Sequence, residues 1–349
     1  MKDIKEIITY LKEYDGRPIK LMEVCGTHTS SIFKHGIRSL ISPKIKLISG
    51  PGCPVCVTPT SYVDKIIDYA RAENTIVYCF GDMMKVPGTK GSLSDLKGEG
   101  IHVRMMYSPF EVVDKAEQEK DKMHVVAAVG FETTAPTYAL ALEEARQRGV
   151  KNIKFVTALK TIIPALEWIC ENETDIDGFI CPGHVSVIIG YRVYKELADK
   201  YKKPFVVAGF EAEHILAVIY DIVKQLEDGK HRVDNLYTNA VKPDGNLKAI
   251  ELCERYFEPA SAMWRGLGII ENSGQYLRPE YQTFDGGSKG LDSDMELPAE
   301  CSCANVIIGR INPDECAMFG KACRPENPYG PCMVSAEGAC GIWFRNSHQ

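Results

Sequence analysis

The sequence predicts an α/β protein: two small parallel-sheet α/β domains facing a cleft, with a third, cysteine-rich domain beside them. Three observations carry that reading. Over the first 230 residues short β-rich runs alternate with helical stretches, the pattern of strand–helix units with mainly parallel sheets. Glycine-rich turns bearing cysteine, histidine or carboxylate follow strand after strand, and in such sheets ligands bind outside the carboxyl ends of the strands. Six of the thirteen cysteines lie in the last 49 residues.

Taken in order, Ile4, Ile7, Ile8 and Leu11 recur at helical spacing among charges, which reads as an amphipathic helix rather than a signal peptide. Runs of Val, Ile, Leu and Phe predict strands at 20–24, 46–48, 75–80, 102–105, 124–129, 153–157, 177–180 and 205–208. Helices are expected at 30–40, 62–72, 137–148, 192–201, 212–227 and 247–256. A charged run around residues 120–124 divides the α/β region into domains at 18–122 and 123–234, with residues 1–17 and 235–349 forming the third. The Gly/Ser/Asp stretch at 285–294 is a loop by composition. From Pro298 onward apolar periodicity is scarce, and metal bound to the thiolates would supply the order that a core does not.

Composition narrows the function. Hydrophobic residues make up 45%, charged residues 25%, and the net charge is −6, as for ordinary soluble proteins. No Lys/Arg run supports nucleic-acid binding, and no apolar stretch approaches membrane-spanning length. An odd number of cysteines without an export signal points to the reducing cytoplasm, where grouped thiols serve metal or redox chemistry.

In the tail, Cys301, Cys316, Cys323 and Cys340 read as C-x14-C-x6-C-x16-C. Four thiolates are what a [4Fe–4S] cluster needs, so the third domain reads as an iron–sulfur domain. The competing ion is zinc, which usually sits between paired short knuckles; here the only short pair is Cys301 and Cys303. Cys303 and Cys332 remain alternative ligands or redox thiols beside the cluster.

Near the start, Cys25-Gly26-Thr27-His28 leads from a strand toward a helix. A helix N-terminus favours the thiolate, and His28 is close enough to move a proton or hold a ligand. In Gly50-Pro51-Gly52-Cys53-Pro54-Val55-Cys56 the glycines allow tight backbone and the prolines stiffen it. Two intervening residues let Cys53 and Cys56 face one side, as metal ligands or as a redox pair. Asp82, Glu132 and His184 are further polar groups at strand ends.

Together these motifs resemble the HypD family, the hydrogenase formation proteins that help build the iron centre of [NiFe] hydrogenases. The match rests on MEVCGTHT, SGPGCPVCVTP, GDMMKVPG, VGFETTAPT, PGHVSVIIG, GFE and DECAMFGKACRPENPYGPCMVSAEGAC, and spans almost the whole chain. The resemblance implies two α/β domains and a third bearing a [4Fe–4S] cluster. It implies a small HypC-type partner, with which iron is held while it gains two cyanides and one carbon monoxide. Cyanide would come from a HypE-type partner, and the finished unit would pass to the hydrogenase large subunit. On this reading Cys25 is the iron thiolate, Cys53 and Cys56 are a dithiol pair or help hold iron, and His28 and His184 orient or protonate incoming groups. Asp82 and Glu132 support them. The protein would then be an assembly scaffold with redox activity rather than a conventional turnover enzyme. The alternative from another class is an iron–sulfur thiol–disulfide reductase resembling ferredoxin:thioredoxin reductase.

Overall fold

The computed structural model describes residues 3–295 and 300–347; Pro298, the expected start of the tail, lies outside the described residues. The chain forms two sheets, and each draws on both halves of the sequence. The first contains β1 (Ile19–Glu23), β2 (Ile45–Ser49), β7 (Gly178–Cys181), β8 (Phe205–Val207) and β9 (Val233–Asn235), in the order β2-β1-β7-β8-β9, all parallel. The second contains β3 (Thr75–Cys79), β4 (Val103–Met105), β5 (Met123–Gly130), β6 (Ile153–Lys160), β10 (Phe257–Trp264) and β11 (Gly268–Leu277). Its order is β10-β11-β6-β5-β3-β4, parallel from β6 to β4 and antiparallel at β11 and β10.

All eight expected strands form. The division at 122/123 does not follow the sheets: β3 and β5 pair directly across it, Thr75 opposite Met123. The charged run there is the end of the helix Pro109–Gln118 and its turn into β5, a connection within one sheet. Strand–helix alternation identifies the units but not their neighbours, so it cannot reveal that the chain leaves the first sheet after β2 and returns at β7. The hairpin β10–β11 was not expected either. Its sequence lacks clean alternation, and it is held by pairing with β6 through Gly274 and Gln275.

Local sequence explains the elements. In β5 every residue from His124 to Gly130 is buried, as in a parallel sheet covered on both faces. Phe179 of β7 stacks on Phe205 of β8 with ring centroids 4.6 Å apart. The helix Pro109–Gln118 begins with a capping box between Ser108 and Glu111 and has proline in its first turn. Cys79, Cys170, Cys181 and Cys253 are buried, as thiols used for packing are. No helix among the described residues is long and apolar enough to cross a membrane.

Each sheet has a point at which successive connections run in opposite directions. In the first it lies between β1 and β7, in the second between β3 and β5. A crevice opens at the carboxyl ends of strands at such points. The CGTH and PGH turns follow β1 and β7; the GDMMK and GFETT turns follow β3 and β5.

Candidate functional site: a thiol hollow between two loops and the tail

Cys25 is the N-cap of the helix Gly26–Lys34. That helix starts four residues earlier than expected, so Cys25 sits directly at its end. Beneath it Glu23 is buried; its carboxyl accepts the Cys25 N–H at 3.3 Å, the Ser49 hydroxyl at 2.5 Å and the Thr29 hydroxyl. Burial pushes Glu23 up to about 7 despite these hydrogen bonds. The loop is thereby tied to β2 through Ser49.

The expected lowering of the Cys25 pKa does not occur. Burial pushes the thiol up to about 11, and the backbone N–H groups of His28 and Thr27, which pull the other way, do not offset it. The helix end is real, but desolvation of a buried sulfur outweighs it.

The second loop touches the first backbone to backbone. A Cβ on Gly52 would stand 2.6 Å from the Cys25 nitrogen, so only glycine permits the approach. Within the loop the Cys56 N–H donates to Cys53 Sγ at 3.2 Å, and Cys56 Sγ lies 3.9 Å from the Pro331 carbonyl oxygen.

The tail closes over both loops. Gly26 admits the backbone of Glu337, whose carbonyl oxygen would be 2.3 Å from a Cβ there. Asp82 accepts from Ser335 Oγ at 2.7 Å and from the Ala336 N–H at 3.0 Å. It therefore fixes the tail rather than facing the hollow itself. The result is a narrow hollow of about 10 Å³ lined by Gly26, Ser49, Cys53, Cys56, Cys332 and Glu337 among others, room for about one water-sized group.

All six tail cysteines line a second hollow, together with Val306, Phe319 and Met333. Cys332 lines both. It accepts the Cys340 N–H at 3.3 Å, and thiols of Cys340 and Cys56 face it. These donors hold Cys332 well below the usual thiol range, while burial and the neighbouring Cys332 push Cys56 and Cys303 up, and Cys332 and then burial push Cys340 up. Soft donors in this number, within apolar walls, suit a multi-iron cluster. Among the described residues no three His, Cys, Asp or Glu side chains are set to hold a single metal ion.

The two expected histidines come together. His28 is buried, with its Nε2 3.3 Å from the Ala208 carbonyl oxygen and its ring 5.0 Å from Phe210. The exposed His184 packs on the same Phe210 at 4.1 Å. A carbonyl only accepts, so Nε2 carries the hydrogen and Nδ1, which has no partner, keeps its lone pair. Burial pushes His28 down to about 4, so the ring is neutral. Glu132 stands apart from this group: its Oε1 accepts the Ile162 N–H at 2.8 Å, at the start of the helix Ile162–Asn172.

Sequence reasoning missed Glu23, Phe210 and Glu337. Glu23 lies two residues before Cys25 and was legible only as a strand residue. Glu337 becomes relevant through a contact 311 residues away, at Gly26.

Comparison with known proteins agrees with the geometry. A family model described as "Hydrogenase formation hypA family", named HypD, matches residues 1–347. The hydrogenase maturation factor HypD of Escherichia coli K12 is 37% identical, over 100% of this chain and 95% of the relative. HypD of Rhodobacter capsulatus is 39% identical over 94% and 89%, and a putative hydrogenase expression/formation protein of Methanocaldococcus jannaschii is 40% identical over 94% and 92%. The thiol loops, the tail and the full-length match lead to one conclusion: this chain belongs to the HypD family of hydrogenase maturation proteins.

Proposed function

We propose that this protein is a scaffold which, with a small HypC-type partner, holds iron while it gains two cyanides and one carbon monoxide for a [NiFe] hydrogenase. The observation that carries the reading is the convergence of the CPVC loop, the start of the CGTH helix and the cysteine tail on one hollow. Iron is cargo here. Cys25 is its thiolate, shared with a cysteine of the small partner, and thiolate suits soft iron bearing cyanide and carbon monoxide. Burial keeps the proton on Cys25 until a cation arrives; a bound metal reverses that preference. His28 offers a neutral Nδ1 lone pair, and with His184 it orients or protonates incoming groups. Asp82 supports the site by fixing the tail, and Glu132 by fixing the Ile162 turn.

Cyanide arrives from a HypE-type partner as a thiocyanate-like group. The Cys53 thiolate attacks the thiocyanate sulfur and expels cyanide with the bonding electron pair, leaving a mixed disulfide. Cys56 then attacks Cys53 Sγ, releasing the partner's thiolate and closing a Cys53–Cys56 disulfide. Two electrons leave the dithiol, the sulfur–carbon bond breaks, and cyanide is free to bind iron. The resident cofactor of this reading is a [4Fe–4S] cluster, which Cys301, Cys316, Cys323 and Cys340 would hold, with Cys303 and Cys332 as alternative ligands or redox thiols. When bound, it supplies electrons singly.

Infrared spectra of protein purified anaerobically with its small partner should show cyanide and carbon monoxide stretches, absent in Cys25→Ala. Silence in the wild type, together with robust turnover of protein disulfides, would favour the thiol–disulfide reductase instead.

A further inference from the structure

A second groove lies away from the loop and tail cysteines. A groove of about 470 Å³ runs between the start of the helix Ile162–Asn172, the end of the helix Gly183–Ile189, the helix Leu247–Tyr256 and the start of β10, a size typical of small-ligand sites. Ile163, Ile189, Val193, Ile250 and Phe257 make its walls aliphatic and aromatic. Glutamates 132, 254 and 258 line it, and no lysine, arginine or histidine does. Glu258 is already paired with Lys289 at 3.2 Å, and Glu254 is exposed.

Glu132 is different. It is 6% exposed; one oxygen accepts the Ile162 N–H, and the other, Oε2, is buried with no hydrogen-bond partner. Gln275, also in the lining, has a buried amide oxygen with no partner. Buried acceptors are ordinarily satisfied, and leaving one unmade is costly. Two such acceptors, three carboxyl groups, no cation and apolar walls describe the complement of one chemical group. We propose that this groove binds an alkylammonium group, its aliphatic chain along the isoleucine walls and its nitrogen donating to Glu132 and Gln275. The nitrogen supplies the missing donors, and its charge draws the proton off Glu132, which burial otherwise raises to about 7, so that the pair forms as ammonium and carboxylate; a hydroxyl of the same length supplies one donor and no charge. None of the cysteines assigned to the thiol chemistry lines the groove, and Glu132 is the one residue that serves both.

The test titrates the full chain with n-butylammonium, with n-butanol and with a lysine blocked at both ends, followed by calorimetry and by NMR of the isoleucine methyl groups. Butylammonium should bind about tenfold or more tighter than butanol, the margin of a charge-assisted hydrogen bond, and should shift the methyls of Ile163, Ile189 and Ile250. Glu132→Gln should reduce the amine to the level of the alcohol. Ile250→Trp, which fills the groove and keeps the carboxyl, should abolish both and serves if Glu132→Gln fails to fold. A blocked lysine binding more tightly than butylammonium identifies a polypeptide lysine as the source; weaker binding identifies a free amine. Equal affinity for amine and alcohol, shifted methyls elsewhere, or full binding by Ile250→Trp would overturn the proposal.

Discussion

The contact at Gly52 is the sharpest place to perturb the site. A Cβ there would stand 2.6 Å from Cys25 N, 2.7 Å from Cys25 Cα and 2.7 Å from Val24 C. All three are backbone atoms, so no side chain can swing aside. Non-bonded carbons settle at about 3.5–4.0 Å, so Gly52→Ala must part the two loops by roughly 1 Å. Overpacking of this kind costs about 1–3 kcal/mol. In a chain of 349 residues that cost lowers the melting temperature by about 1–4 °C. The control is Gly98→Ala, where nothing lies within 4 Å of the added methyl, and a surface change of this type stays within about 0.5 kcal/mol. Calorimetry of the two variants gives the stability difference. Crosslinking of Cys25 to Cys53 by a short bifunctional thiol reagent reports whether the loops have parted. If Gly52→Ala melts with Gly98→Ala and crosslinks at the wild-type rate, the two loops do not meet as described and the shared hollow loses its basis.

Other outcomes follow from the same geometry. Under the proposed cluster assignment Cys316→Ala should lose iron and sulfide while Cys25→Ala retains both; chemical analysis of anaerobic protein decides, and full iron in Cys316→Ala removes it from the ligand set. Asp82→Ala deletes the acceptor for Ser335 and Ala336, so amide exchange at 336–338 should accelerate; unchanged exchange means the tail is held by other contacts. Iodoacetamide should label the partly exposed Cys301 and Cys316 before Cys25, whose thiol burial pushes up to about 11; mass spectrometry showing Cys25 first would mean the helix end governs after all. Glu132, pushed by burial from 4.5 to about 7, keeps its proton in the folded state where the unfolded chain has lost it. Its contribution is therefore complete below pH 4.5 and lost as pH rises through about 7. Glu132→Gln should remove that slope and exceed wild type at pH 8 by up to about 3 kcal/mol; urea midpoints at pH 5 and pH 8 that move in parallel for both proteins count against it.

How much of this was legible in the sequence differs by level. Strands were visible because parallel, doubly covered strands such as β5 are continuous apolar runs. Their order was not, because pairing β1 with β7 joins residues more than 150 positions apart and leaves no local mark. Cys25, Cys53 and Cys56 stood out through glycine and proline around them. Glu23 and Glu337 did not, since a strand carboxylate and a tail carboxylate become informative only once Ser49 and Gly26 are seen beside them. The ionisation of Cys25 was misjudged because the helix end is a local feature, whereas burial is a property of everything packed around it.

The tail raises the last question, whether a bound cluster is what orders it. Scarce periodicity suggested so, yet Cys303, Val306, Ile307, Ile308, Ile342 and Trp343 are all buried against the rest of the protein. Arg38 lies over the Trp343 ring at 4.8 Å, and Phe33 meets its edge at 4.7 Å, so the final helix docks on the helix that Cys25 caps. Asp82 adds a polar clamp from the second sheet. Each buried aliphatic or aromatic side chain is worth about 1.5–3 kcal/mol, and the five other than Cys303 do not depend on metal. The tail should therefore stay docked when its metal is removed, and Cys332 should remain at the wall between the two hollows. Anaerobic chelation of iron is the decisive perturbation: protease resistance of residues 300–347 should survive it, and cleavage there would mean that thiolate–metal bonds, not packing, bring the tail to Cys53 and Cys56.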